Sequence, residues 1–224
     1  MSILKETLLW KNPWSRLLAA VCSKLLVSVA GYLGQGRCGR CFRVKAADGS
    51  EMALKIVLTQ CDSDGLVHAC TRVEFERLVA LGDQDNVVNV DEQSLCSVKE
   101  DDSLLGLGFL MRDVGSSLTR EDCKSRTTLT KLITSLNALH QTFYHHGDAR
   151  LFNAINVSGR IVWVDFFHSQ CDELDFELKR TDMKQLIRSI YGEEKLNEQN
   201  LSRMLNEYDP FNNAHLRVIE ELLH

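Results

Sequence analysis

The chain has 224 residues, 44% of them hydrophobic, which excludes global disorder and leaves room for one sizeable domain or two small lobes. Its net charge is −5 with no basic arm or stripe, which argues against nucleic acid as the main partner. Eight scattered cysteines (Cys22, Cys38, Cys41, Cys61, Cys70, Cys96, Cys123 and Cys171), with no secretory signal ahead of them, read as reduced thiols rather than a disulfide framework.

The first apolar stretch, Leu17 to Gly34, is broken by Lys24 and preceded by Arg16. Its unbroken run is well short of the ~18–20 residues that a membrane span needs. It lies behind Glu6 and the polar Lys11-Asn12-Pro13, unlike an ordinary signal peptide. The expectation is a short helix from about Trp14 and then a strand. Residues 1–29 form an N-terminal helical extension that either pads the small lobe or lies on a surface as an amphipathic anchor.

LLVSVAGYLG, RCFRVKAA and MALKIVL read as strands, the last two joined by the turn Asp48-Gly49. Val67 to Leu81 carries apolar residues at helical spacing. Two strand-like runs follow, Val87–Val90 and Leu104–Met111. Gly115-Ser116-Ser117 stands where a hinge would, and Thr119 with Asp122 reads as a helix cap. Leu129, Leu132, Ile133, Leu136, Leu139 and Phe143 then form one helical face. AINV and IVWVDF form a hairpin around Ser158-Gly159, and TDMKQLIRSIYG, LSRMLNEY and AHLRVIEELL read as helices. The fold class expected is α+β, with a strand-rich first half and a helix-rich second half.

Gly34, Gly36 and Gly39 fit GxGxxG. A dinucleotide-binding version opens a helix, whereas here a strand and a hairpin follow. That is the arrangement of a loop folding over ATP phosphates between antiparallel strands, where glycine lets the backbone approach phosphate. Sixteen residues on, Lys55 sits among apolar neighbours in MALKI. Either it points to solvent from an edge, or it is a cation for phosphates held by a carboxylate, since an unpaired buried ammonium is expensive. Glu74 is the preferred partner and Glu76 the alternative.

The densest polar stretch is HHGDARLFNAIN, from His145 to Asn156. Asp148 is followed five residues on by Asn153, and twelve residues further by Asp165. An aspartate can take a proton from an acceptor hydroxyl, and an asparagine with a second aspartate can supply oxygen ligands to Mg²⁺. Arg150 can reach a transferring phosphate. A polar turn with a capping Asp148 is the plain alternative. His140, His145 and His146 lack the spacing of a common zinc site, and His146 is expected to pack under the loop. Trp10, Trp14 and Trp163 read as core.

Taken in order, Gly34-x-Gly36-x-x-Gly39, Lys55, Glu74, His146-Gly147-Asp148-x4-Asn153 and Asp165-Phe166 resemble the protein-kinase-like superfamily from about residue 30 onward. The HGD form is similar to the aminoglycoside-phosphotransferase branch and other small atypical kinases. HGDARLFNAI and WVDF also resemble kinase-like domains of oomycete and fungal Crinkler-type chains. The resemblance implies a bilobal fold over residues 30–224. An antiparallel-sheet N-lobe with one main helix would span about 30–113, and a reduced helical C-lobe about 114–224. It implies an ATP- and Mg²⁺-dependent phosphotransferase acting on a hydroxyl of a protein or small molecule. Gly34, Gly36 and Gly39 would cover the phosphates, and Lys55, paired with Glu74, would contact them. Asp148 would be the base, Asn153 and Asp165 would hold Mg²⁺, and Arg150 would stand where a phosphate-contacting lysine does. Adenine would meet the stretch Met111 to Val114, including Asp113. Asp182 would brace the catalytic loop, unless it is only a charge near a helix N-terminus.

Two departures stand out. Phe167 replaces the glycine after Asp165-Phe166, and only about sixteen residues separate Asp165 from the next expected helix, with no peptide-platform segment. They leave the acceptor open and motivate a rival reading, a pseudokinase serving as an interaction or effector module. A thiol-redox protein using Cys38 and Cys41 is a third reading. The absence of recognisable signals leads to an expected cytoplasmic or nuclear location, with an effector-like secreted route as the alternative, and with no transmembrane span and no nucleic-acid partner.

Overall fold

The computed structural model describes residues 12–36, 39–59, 66–82, 84–142, 144–166, 170–171, 175–192, 198–212, 214, 216–217 and 219. These fall into two compact units. One is built from described residues within Met1–Gly82 and Asn89–Val114, the other from those within Asp83–Val88 and Gly115–His224. The class is α+β.

In the first unit, helix α1 (Pro13–Leu25) starts where Asn12 accepts a hydrogen bond from the Trp14 amide, with proline in the first turn. Strands β1 (Ser28–Gln35), β2 (Gly39–Lys45), β3 (Glu51–Leu58), β4 (Cys96–Glu100) and β5 (Ser103–Met111) form one antiparallel sheet in the order β1-β2-β3-β5-β4. Between β3 and β4 lies helix α2 (Leu66–Leu81). Period-two alternation sorts the faces. Leu54, Ile56 and Leu58 of β3 are paired with Leu110, Gly108 and Gly106 of β5. That face buries Leu17 and Val21 of α1. Ala53, Lys55 and Val57 are paired with Met111, Phe109 and Leu107, and point the other way. Phe109 meets Phe75 of α2 edge-on, with centroids 5.5 Å apart.

Two strand expectations need correction. Val87–Val90 is not a strand: Val87 bridges Trp163 in the second unit, and Val90 bridges Met111 in the first. A strand that the pattern does not suggest, β4, pairs with β5 from Cys96 to Glu100. Its sequence, CSVKE, buries only Val98, so it lacks a hydrophobic alternation to announce it.

In the second unit, β6 (Ser116–Ser117), β8 (Ala154–Val157) and β9 (Arg160–Trp163) form a three-stranded sheet, and β7 (Tyr144–His145) pairs with β10 (Gln170–Cys171). Gly115-Ser116-Ser117 begins the second stretch of this unit, and both serines pair with β8. A side chain on Gly115 would run into the carbonyl of Asn156. Helix α3 (Arg126–Gln141) begins later than expected. Thr119 and Asp122 do bond to each other, but they close a 3-10 turn at Asp122–Lys124, while Ser125 caps α3. The α3 face of Leu129, Leu132, Ile133, Leu136 and Leu139 is buried as the spacing predicts. Phe143 lies outside the described residues.

Helix α4 (Phe176–Tyr191) starts five residues before the expected Thr181, with Asp175 accepting from the Leu178 amide. It buries Met183, Leu186, Ile187 and Ile190. Helix α5 (Glu198–Asn206) buries Leu201 and Leu205. Much of AHLRVIEELL falls outside the described residues, as do Trp10 and residues 1–11 of the N-terminal extension. Among the described residues, no helix is long and apolar enough to cross a membrane.

Candidate functional site

The first unit carries a buried ion pair. Lys55 projects from the α2 face of β3, and its Nζ donates to both carboxylate oxygens of Glu74 at 2.7 and 2.8 Å. Glu74 is 1% exposed, because it lies on the α2 stripe of Thr71, Glu74, Phe75 and Leu78 that faces the sheet. Glu76, the alternative partner, is exposed. With its cation fixed bidentately, Lys55 is a strand lysine held in one direction instead of a mobile surface charge.

Gly39 begins β2 beside this lysine. A Cβ there would lie 3.0 Å from both the Ile56 carbonyl oxygen and Val57 Cγ2 and 3.7 Å from Lys55 Cε, so glycine lets β2 approach β3 without displacing either neighbour. Gly34 is the last but one residue of β1, paired with Cys41, and the Gly36 amide donates to the Gly39 carbonyl at 2.9 Å. Nothing lies within 4 Å of a Cβ built on either Gly34 or Gly36. Cys38 lies outside the described residues, so the Cys38–Cys41 redox reading has only its Cys41 half in view, on β2 opposite Lys55. At the other end of the unit, Met111 closes β5, and Asp113 accepts from the Asn89 amide at 2.8 Å.

The second unit holds the polar loop between β7 and β8. Asn153 is 3% exposed and uses its amide nitrogen twice, donating to the Asp148 carbonyl at 2.9 Å and to its carboxylate at 3.0 Å. Arg150 clasps the same carboxylate, Nε to Oδ1 and Nη2 to Oδ2, both at 2.5 Å. Its guanidinium lies 4.5 Å from the Phe152 ring centroid, and Phe152 is 52% exposed. Asp148 is half-buried, and Arg150 is open to solvent.

Asp165 follows β9 at φ +67°, in the left-handed region. Aspartate tolerates that region better than most side chains, but a non-glycine residue there still stores strain of about 1–3 kcal/mol, and such strain clusters at functional positions. Asp165 is half-buried, and its charge acts on His146. Phe166 is fully buried against the His146 ring, with centroids 4.7 Å apart. Phe167 lies outside the described residues.

Helix α4 explains why the loop keeps its shape. Asp182, Gln185 and Ser189 are spaced i, i+3, i+7 and share one helical face. Asp182 accepts the amides of His146 and Gly147, the latter at 2.9 Å. Gln185 Oε1 accepts the Ala149 amide, and Ser189 Oγ the Leu151 amide, each at 3.2 Å. A ladder of side-chain acceptors thus supplies partners that backbone pairing does not. Asp182 sits in the middle of α4, which removes the helix-N-terminus alternative. Gln185 and Ser189 were not anticipated; the available signal was polar residues at helical spacing among Met183, Leu186, Ile187 and Ile190.

His146 packs between Trp163 and Phe166, as expected of a residue under the loop. Its Nε2–H donates to the Val164 carbonyl at 3.0 Å, and its Nδ1 accepts the Asp148 amide at 3.2 Å. Burial pushes its pKa below the ordinary histidine value, in keeping with a neutral ring. Burial alone would raise the Asp182 carboxyl, but hydrogen bonds from His140 and the His146 amide, together with the neighbouring imidazoles, hold it below the usual carboxylate value.

Among the described residues, no group of three or more His, Cys, Asp and Glu side chains is arranged to hold a metal. The narrower donor set expected for Mg²⁺, one amide oxygen and one carboxylate, is chemically suited to that ion, which keeps several waters and takes few protein oxygens. Both Asn153 amide hydrogens face Asp148, which leaves Oδ1 as the end that can accept. No family model and no curated protein sequence matches the chain.

Proposed function

We propose that this protein is a small atypical kinase of bilobal, protein-kinase-like architecture, transferring the γ-phosphoryl group of ATP to a hydroxyl of a protein or small molecule. The observation that carries the reading is the Lys55–Glu74 pair. A lysine on an inner strand, fixed on both oxygens of a buried helix glutamate beside a glycine turn, is suited to meet phosphate as an oriented point charge. Gly34, Gly36 and Gly39 would cover the phosphates, and the stretch from Met111 through Asp113 would meet adenine.

Asn153 Oδ1 and Asp165 would hold Mg²⁺, which when bound would neutralise charge on the phosphates. The chain's own residues position the acceptor. Asp148 would accept a hydrogen bond from the acceptor hydroxyl and orient it in line. Asn153 holds that carboxylate's rotamer through its amide, and the α4 ladder holds the backbone beneath it. Arg150, exposed and cationic, would leave the Asp148 carboxylate for the transferring phosphate.

A second reading, a pseudokinase used as an interaction or effector module, is favoured by one observation. Arg150 occupies both oxygens of Asp148, which an acceptor must contest. Titration calorimetry with ATP, with and without Mg²⁺, separates the two readings when combined with a phosphate-transfer assay. Binding that needs Mg²⁺ and is lost in Asp165→Asn, together with transfer lost in Asp148→Asn, is the result expected. ATP binding without transfer to any acceptor favours the pseudokinase, and no binding at millimolar ATP removes the nucleotide from the reading.

A further inference from the structure

Behind the loop, four polar side chains of the second unit form a closed buried chain. Asn137 and His140 come from α3, Asp182 from α4, and Tyr208 from the segment after α5. All four are at most 4% exposed. The Asn137 amide nitrogen donates to the Pro210 carbonyl at 3.1 Å, and the Gln141 side-chain amide donates to that same carbonyl at 2.8 Å. A backbone carbonyl can only accept, so the orientation of Asn137 is fixed and its Oδ1 faces Tyr208. The Tyr208 hydroxyl lies 2.8 Å from that oxygen and has one hydrogen, which is donated there. The hydroxyl oxygen is also 2.8 Å from His140 Nδ1. With the phenol hydrogen committed, this contact is a hydrogen bond only if Nδ1 carries a proton. At the far side of the ring, Nε2 faces Asp182 Oδ2 at 3.2 Å, and one of those two atoms must carry a proton as well.

We propose that the His140–Asp182 pair holds one proton more than a neutral imidazole facing a carboxylate, and that Tyr208 and Asn137 are the positioning residues that keep it there. The alternatives each leave two acceptors facing one another in a dry site. A neutral ring protonated at Nδ1 sets a bare nitrogen against the Asp182 carboxylate. One protonated at Nε2 either sets a bare Nδ1 against the phenol oxygen or turns the phenol hydrogen away from Asn137. The surrounding charges act in both directions. Lys179 on α4 and His145 on β7 oppose a charged His140 ring, whereas the Asp182 carboxylate favours it. Asp182 and Asp209 keep the Tyr208 phenol protonated, as burial does first of all. Burial itself pulls His140 toward neutrality; the fixed direction of the Asn137–Tyr208 bond opposes that pull.

The consequence reaches the polar loop through Asp182, which accepts the His146 and Gly147 amides. With the extra proton the anchor is electrically neutral as a pair. Without it, a buried net negative charge and one unmade hydrogen bond sit directly behind Asp148. The inference stands on hydrogen-bond direction alone and is independent of the chemistry proposed for Asp148.

Nitrogen-15 NMR of the full chain labelled at histidine tests it, with carbon-13 detection of the Asp182 carboxyl, over about pH 6 to 8. The expected wild-type spectrum shows His140 protonated at both Nδ1 and Nε2 throughout, facing an ionised Asp182 carboxylate. In Tyr208→Phe the ring is expected to become the neutral Nε2–H form by the upper end of that range. A wild-type Nδ1 without a proton at pH 7 overturns the proposal. A folded Tyr208→Phe protein that keeps the wild-type nitrogen pattern overturns the role of Tyr208. If that variant does not fold, the wild-type spectrum alone decides.

Discussion

The Ala149 amide is buried in the polar loop, and its acceptor is a single side-chain oxygen of Gln185. Gln185→Leu leaves that donor unmade and should destabilise the second unit by about 1–3 kcal/mol, whereas Gln185→Glu, which keeps an acceptor, should cost less than half as much. Urea unfolding followed by tryptophan fluorescence measures both, since Trp163 is in the core of that unit. In the first unit, Glu74→Leu removes the buried carboxylate to which Lys55 Nζ donates twice and should cost about 3–5 kcal/mol. Adding Lys55→Met should recover most of that loss. A double variant no more stable than Glu74→Leu would mean that the two side chains contribute independently.

At the scale of elements, α1 is held by close approach to β5. A Cβ on Gly108 would lie 2.8 Å from Val21 Cγ1, and one on Gly106 would collide with Leu17. Gly108→Ala should therefore destabilise by about 1–3 kcal/mol through overpacking, and Val21→Ala in the same chain should relieve part of it. Leu17 is fully buried, so Leu17→Ala should cost about 2–5 kcal/mol as a cavity variant. Thermal melts of the three single variants and the pair check this. α1 was readable because Asn12, Pro13 and an apolar stripe spell a helix start. That it covers a sheet face was not, because a stripe does not name its partner. Likewise β4 escaped notice because one buried valine in five residues carries no period, and the sheet places it by pairing with β5.

At the scale of the whole molecule, acid sensitivity follows from buried groups. His146 is fully buried and its folded pKa lies below 6.5, so the folded state resists the proton that the unfolded chain accepts. The His146 contribution to stability should therefore be constant above about pH 6.5 and fall progressively as pH drops below it. Asp182 acts in a lower window. Its folded pKa lies below 3.8, so its contribution is present above that value and is lost as pH falls through the folded one. The drop in urea midpoint from about pH 6.5 to 5.5 should be larger for the wild type than for a folded His146→Asn variant. Equal drops in the two proteins would overturn the assignment to His146.

Strong apolar periodicity is enough to locate α2, α3, β3, β5 and the Ala154–Trp163 hairpin along the chain. The sequence also marked the polar residues at unusual places, namely Lys55 within a strand and Asp148 with Asn153 ahead of one. Those signals are local, arising from a period of two or 3.6 and from the cost of placing charge among apolar neighbours. What those groups touch depends on how the elements pack. Lys55 takes Glu74 over Glu76 because the α2 stripe turns one glutamate to the sheet and the other to water. The loop amides take Asp182, Gln185 and Ser189 because α4 begins at Phe176 and presents them on one face. Tyr208, more than fifty residues from Asp148 in sequence, joins His140 only through packing. Hydrogen bonds between residues far apart in the chain leave no period in the sequence, so only the folded backbone, by bringing donor to acceptor, determines them.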